Sequence, residues 1–271
     1  MTWATSSNWA IRFIRNLHEA DREVHTGETE TRMRDGKKTL PRLLVLTPGT
    51  LEKNDSPALL ACLEAICECG SLGVILREKR LPDRSYLSLL QEVLALQKAR
   101  SNELWVGAHD RVHLGILAGT DGVHLAGRSL APRRVRQLLE ADPIKLNPHL
   151  GFSCHAQDDP KTLGALDYLF YSPVHATASK PGAEGLGWDS FERFAQDCKP
   201  MVYALGGIKP LDAEALFAHG GYGLCVLSGI LGVTKGTETH SSCPRLPAPK
   251  LASERTKRYL EAIRASLPPS P

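Results

Sequence analysis

No apolar run in this 271-residue chain approaches the roughly 20 residues needed to cross a bilayer. The N-terminus also lacks the apolar core of a secretory signal, because Arg15, Asn16, His18, Glu19 and Asp21 interrupt it early. Charge of one sign is missing too. Against 30 acidic residues stand 33 basic ones, a formal +3 that is too balanced to imply a nucleic-acid or anionic-membrane partner. The seven cysteines include no pair at metal-binding spacing. Cys67 and Cys69 end a helical pattern with no companion His or Cys pair nearby, so they read as reduced thiols. These absences predict a soluble, cytoplasmic protein with no membrane and no nucleic acid among its partners. What remains is an ordinary globular composition, 42% hydrophobic and 23% charged, long enough for one large α/β domain or two small ones.

From Leu43 onward, strand-like and helix-like runs alternate. The strand-like runs are Leu43–Thr47, Val74–Arg77, Leu104–Ala108, Gly122–Leu125, His149–Ser153, Tyr168–Tyr171, Met201–Leu205 and Leu224–Ser228. Helical patterns lie between them over Pro57–Glu68, Ser85–Lys98, Val112–Leu117, Pro132–Leu139, around Pro160–Gly164, Ser190–Asp197 and Leu211–His219, with a last one at Ser253–Ala265. Eight such units predict a single (β/α)8 TIM barrel over residues 42–266, with a doubly wound open sheet as the alternative. Residues 1–41 form an N-terminal extension and linker. Its Trp9, Ile11, Phe13, Ile14 and Leu17 suit one amphipathic helix, and residues 21–38 are almost wholly polar. A Thr-, Ser- and Pro-rich insertion near 233–250 reads as solvent-exposed, and residues 267–271 as a disordered tail.

The stretch Leu166–Gly187 carries the clearest functional signal: a short apolar strand that opens into Ser, Thr, His, Lys and Gly. Barrels present their chemistry at such strand ends. After the second strand, Arg77 and Lys79 share a face and call for an anion, although a solvated charge cluster would look the same. After the third come His109, a candidate phosphate donor, and Asp110, a candidate metal ligand that also suits the cap of the next helix. His124 on the fourth strand reads as a satisfied core histidine. On the fifth, Ser153 and His155 point the same way, which makes His155 a candidate general acid/base, while Cys154 should face away. Gly206 and Gly207 after the seventh strand, and Ser228 after the eighth, occupy the usual phosphate cradle of these barrels.

Taken in order, Arg77-Glu78-Lys79, Asp121 to Leu125, Gly151 to His155, Pro173 with Thr177 and Lys180, Gly206-Gly207-Ile208 and Ser228-Gly229-Ile230 resemble the thiamine phosphate synthase/TenI superfamily over about residues 42–232. The resemblance implies a pyrophosphate set of Arg77, Lys79, Ser153 and Lys180 with Thr177 beside it. Thiazole phosphate would sit on Gly206, Gly207 and Ser228, with a magnesium carboxylate at Asp110. Three positions depart from the synthase pattern: Ile75 replaces a Gln that contacts the pyrimidine, His109 an Asn, and Ser129 the second metal Asp. Proteins of the TenI-like branch lack the same Gln and second Asp. The leading expectation is therefore a thiazole tautomerase with His155 and Lys180 catalytic and no cofactor. The alternatives are a magnesium-dependent thiamine phosphate synthase and a non-catalytic phosphate-ligand regulator that docks through its N-terminal helix. In each case the partner is a small phosphorylated thiazole or pyrimidine ligand, and oligomeric assembly is left open.

Overall fold

Eight short strands, apolar on both faces, account for the architecture: β1 (Leu43–Leu46), β2 (Gly73–Leu76), β3 (Trp105–His109), β4 (Gly122–Leu125), β5 (His149–Cys154), β6 (Tyr168–Tyr171), β7 (Met201–Leu205) and β8 (Gly223–Val226). They pair in parallel in chain order, and β8 returns to β1, with Leu224 opposite Leu43 and Val226 opposite Val45. The sheet is closed, so the open doubly wound alternative does not hold and the fold is a (β/α)8 barrel. The computed structural model describes residues 33–34, 37–100, 103–141, 147–177, 182, 184–232, 239–240 and 243–267. The N-terminal amphipathic helix expected at Trp9–Leu17 and the tail from 268 lie outside them, as does Lys180.

The helices are α1 (Ser56–Cys67), α2 (Asp83–Ala99), α3 (Val112–Ala118), α4 (Pro132–Glu140), α5 (Gly187–Gln196), α6 (Asp212–Ala218), α7 (Ser228–Leu231) and α8 (Pro249–Ser266). Between β5 and β6 the expected helix is only a 3-10 turn, Pro160–Thr162, whose N-cap Asp159 accepts from the Lys161 amide at 3.0 Å. The amides of Thr162 and Leu163 bond three residues back, to the Asp159 and Pro160 carbonyls, which is the tighter 3-10 pattern. Among the described residues no helix is long and apolar enough to cross a membrane.

Strand alternation divides the core in two. Leu43, Val45, Val74 and Leu76 face outward to the helices, while Leu44, Leu46, Ile75, Trp105, Tyr168, Phe170 and Tyr203 fill the barrel interior. Trp105, Tyr168 and Tyr203 meet edge to face at about 6 Å between ring centroids. Rings of this size fit because neighbouring strands contribute glycine. A Cβ on Gly151 would lie 2.1 Å from Tyr168 Cζ, and one on Gly122 would lie 2.4 Å from the Trp105 ring.

Residues 37–41, read from the sequence as linker, belong to the barrel. Lys37 Nζ meets Asp167 at 2.9 Å, and Arg136 binds the same carboxylate at 2.6 Å. Lys38 pairs with Asp121 at 3.3 Å, and the Tyr203 hydroxyl donates to the Pro41 carbonyl at 2.6 Å. Asp121 and Asp167 immediately precede β4 and β6, so this segment closes the N-terminal end of the barrel. The insertion also differs from expectation. Thr239–His240 pairs antiparallel with Cys243–Pro247, and Leu246 is fully buried, with the Pro247 carbonyl accepting from Cys62 Sγ of α1 at 3.3 Å. Leucine in a Pro-rich segment finds the apolar face of α1 instead of solvent.

Gly151→Ala tests the packing of the interior. Overpacking against Tyr168 should cost about 3 kcal/mol in urea unfolding, whereas a change within error would show that the rings have room to move.

Candidate active site

Residues from all eight strand ends or their following loops, including Leu46, Arg77, His109, His124, Ser153, Phe170, Leu205 and Ser228, surround one cavity of about 280 Å³. Nine of the residues picked out from sequence line it: Arg77, Lys79, His109, Ser153, His155, Thr177, Gly206, Gly207 and Ser228. Asp110 is not among them, and Lys180 lies outside the described residues.

Arg77 and Lys79 leave β2 on one face, as the alternation predicts. Arg77 is braced from behind, with its amide donating to Thr47 Oγ1 at 2.8 Å and its guanidinium to the Pro48 carbonyl at 3.0 Å. Burial lowers the Arg77 pKa, while the neighbouring Arg77 charge lowers that of Lys79. A buried cation beside a second one whose charge it disfavours presents a site that an anion would stabilise. Glu78 between them faces the other way. Its buried carboxylate accepts from the amides of Gly49 at 3.1 Å and Leu51 at 3.0 Å, which pins the loop after β1. Burial raises its pKa, against the pull of those hydrogen bonds.

His109, an expected phosphate donor, is buried; burial first and the Arg77 charge second hold its pKa down at about 4. It therefore brings a neutral imidazole to the cavity and adds no cation. His124 sits opposite it on β4, with ring centroids 5.6 Å apart, fully buried and stacked on Phe170 at 4.0 Å. Its Nε2 meets Ser153 Oγ at 2.9 Å, and its Nδ1 has no partner among the described residues. His124 is thus a core histidine and a cavity wall at once. The parity that puts Gly122 inside the barrel would have revealed this.

Ser153 and His155 face inward together, while Cys154 packs outward among the helices with its thiol pKa raised by burial. The His155 Nδ1 lies 2.7 Å from the Ser172 carbonyl oxygen. An oxygen that can only accept requires Nδ1–H, so in the neutral ring Nε2 is the basic nitrogen. Gly206 and Gly207 adopt φ of 98° and 66°, a left-handed pair that lets backbone approach the cavity where a side chain would strain. Asp110 also has positive φ, 60°. Its carboxylate accepts a short hydrogen bond from Ser129 Oγ, which itself accepts from the Ala126 amide at 2.8 Å. Asp110 does not cap α3, which starts without a side-chain cap. Among the described residues no three His, Cys, Asp or Glu side chains cluster to hold a metal.

The family model described as thiamine monophosphate synthase matches residues 43–230, from the first residue of β1 into α7. The chain belongs to the thiamine monophosphate synthase family. It is 32% identical over 197 residues to a putative thiamine-phosphate synthase 2 of Aquifex aeolicus, covering 71% of this chain and 98% of that one. A putative thiamine-phosphate synthase of Geobacter sulfurreducens is likewise 32% identical over 176 residues, covering 64% and 79%. Among solved structures, thiamine phosphate pyrophosphorylase from Pyrococcus furiosus superposes with a TM-score of 0.63 over 84% of this chain and 97% of that one; at 19% identity the likeness is one of fold. These relatives favour the synthase reading over the tautomerase reading that the sequence put first.

Against the synthase pattern the departures have definite surroundings. Ile75 is fully buried in the barrel interior, and Ser129 is engaged with Asp110. Magnesium takes one or two carboxylates and completes its octahedron with substrate phosphate and water. Were magnesium used, Asp110 would be the carboxylate here to hold it, with one of its oxygens already accepting from Ser129.

The neutral His109 has a measurable consequence. An unfolded chain protonates this imidazole below its ordinary 6.5, the folded one only near 4. Its contribution to stability is therefore complete above 6.5 and is lost as the pH falls to about 4. Wild-type protein should lose about 2 kcal/mol relative to His109→Asn between about pH 7 and pH 4.5 in urea titrations. A difference that stays constant with pH would contradict a neutral buried imidazole.

Proposed function

We propose that this protein joins a pyrimidine carrying a pyrophosphate leaving group to a thiazole phosphate, releasing pyrophosphate, the reaction of a thiamine-phosphate synthase. The observation that carries the reading is the presence of two anion-binding elements in one cavity. One is the Arg77 and Lys79 pair at the end of β2, and the other is the Gly206, Gly207 and Ser228 cradle after β7 and β8. Two phosphorylated substrates that must meet need two such elements a few ångströms apart.

The ring nitrogen of the thiazole attacks the exocyclic carbon of the pyrimidine. A C–N bond forms, the C–O bond to pyrophosphate breaks, and the leaving group departs with the electron pair. Arg77 and Lys79 stabilise the charge that develops on it, and an Arg held by Pro48 and Thr47 does so without first having to reorganise. Ser153, held by His124, and Thr177 add hydroxyl donors. When bound, magnesium supplies further positive charge to the departing pyrophosphate, and Asp110 is the residue that would hold it. The phosphate of the thiazole rests on the amides of Gly206 and Gly207, whose left-handed backbone leaves them unshielded by side chains. The reduced thiols of Cys154 and Cys225 support a cytoplasmic setting for this chemistry.

One observation favours a second reading. His155, with Nδ1 directed at the Ser172 carbonyl, has the tautomer of a general base at Nε2, which is what moving a proton on a thiazole carboxylate phosphate requires. Ile75 in place of a pyrimidine-binding amide agrees with it.

A turnover assay separates the two. The leading reading expects magnesium-dependent release of pyrophosphate from the two substrates. It also expects Arg77→Ala to lower kcat/KM by about 100-fold or more, and His155→Ala to leave it within about tenfold. Absence of pyrophosphate release, with His155-dependent proton exchange on the thiazole carboxylate, would replace it with the tautomerase reading.

A further inference from the structure

The loop between β6 and α5 carries Thr177 to the cavity, and His155 and His175 both tie its stem to the rest of the barrel. Beyond β6 the chain continues the sheet: the Val174 amide donates to the Leu205 carbonyl and the His175 amide to the Gly206 carbonyl, each at 3.0 Å. The loop returns over itself, with the Leu186 amide donating to Pro173 at 2.9 Å and the Gly187 amide to Val174 at 3.0 Å. A Cβ on Gly207 would meet the Ala176 carbonyl oxygen and His175 Cβ at 2.8 Å, so the stem and the glycine cradle are in van der Waals contact.

The His175 side chain points away from the cavity. Its Nε2 lies 3.0 Å from Asp212 Oδ1, in the first turn of α6, and the other oxygen of that carboxylate accepts from the Lys209 amide at 2.7 Å. The ring meets Trp188 of α5 edge to face at 5.7 Å, and Trp188 stacks in turn on His219 just after α6. One imidazole thus joins the stem of the loop, the start of α5 and the start of α6. The loop after β7, which contains Gly206 and Gly207, runs into that same first turn of α6.

We propose that His175 is a positioning residue: by binding Asp212 it fixes the distance between Thr177 and the Gly206–Gly207 cradle, and so sets the spacing at which two phosphate-bearing groups can be held together. The proposal rests on the anion-binding role given to this cavity above. His175 touches no ligand itself; it acts by holding the β6–α5 loop and the β7–α6 loop as one unit. Loss of the bond removes the tie between the stem and α6, leaving the backbone ladder and the His155 contact at Ser172, and small displacements of ligand-holding groups are costly.

The test compares His175→Ala with His175→Gln, whose side-chain amide can still donate to Asp212. Amide hydrogen exchange at Val174, His175, Leu186 and Gly187, and calorimetry with inorganic pyrophosphate and inorganic phosphate, are the readouts. His175→Ala should speed exchange at those four amides and weaken anion binding by about tenfold, with His175→Gln restoring both towards wild type. Unchanged exchange and affinity in His175→Ala would overturn the proposal. So would a loosened loop that binds both anions as tightly as before, or a loss that His175→Gln does not recover. Because the probes are inorganic anions, the result does not depend on which reaction the wild-type protein catalyses, which the pyrophosphate-release assay decides separately.

Discussion

A barrel of eight short strands encloses a nearly fixed volume, and how that volume is filled decides where a ligand can sit. Here the lower part is taken by Trp105, Tyr168 and Tyr203, accommodated by glycines on adjacent strands. Side chains near the strand ends, His109, His124, Ser153 and Arg77, are left to form a polar layer above an aromatic floor. The dry floor is also what makes that layer chemically distinctive. It strips solvent from His109 and His124 and holds both imidazoles neutral next to a cation pair. Shape and electrostatics at the site have the same origin, the packing beneath it.

That connection explains the pattern of agreement between sequence and structure. Period-two alternation is a local property, so Arg77 with Lys79, and Ser153 with His155, could be placed on one face from their spacing alone. The glycine pair after β7 was legible for a similar reason, since few other residues tolerate that backbone. What could not be read were relations between distant segments. Nothing local says that Lys37 and Lys38, in a polar run, meet Asp167 and Asp121. The burial of Leu246 against α1 depends on a helix formed some 180 residues earlier. Asp110 was expected as a metal ligand or a helix cap, and its orientation depends on a hydroxyl from the next loop. Family likeness added the order of the motifs; it did not choose between reactions, and there the relatives outweighed the three substitutions.

Those substitutions share a direction. Ile75, His109 and Ser129 each replace a residue of the synthase pattern, and each is structurally satisfied where it stands. Ile75 packs in the interior, His109 is neutral, and Ser129 bridges Asp110 to the Ala126 amide. Here the cation pair and the glycine cradle are kept, and the groups between them have been exchanged for others that fit.

Closure of the sheet also bears on how the chain reaches this state during synthesis. The Tyr222 hydroxyl bonds the Leu40 carbonyl across 182 residues, and β1 pairs with β8 in the same region. Until the last strand leaves the ribosome, β1 is an open edge with apolar side chains on both faces, the kind of surface that recruits other strands. The ribosome must therefore complete nearly the whole barrel before its first strand is protected, and that interval is when a chaperone has most to shield.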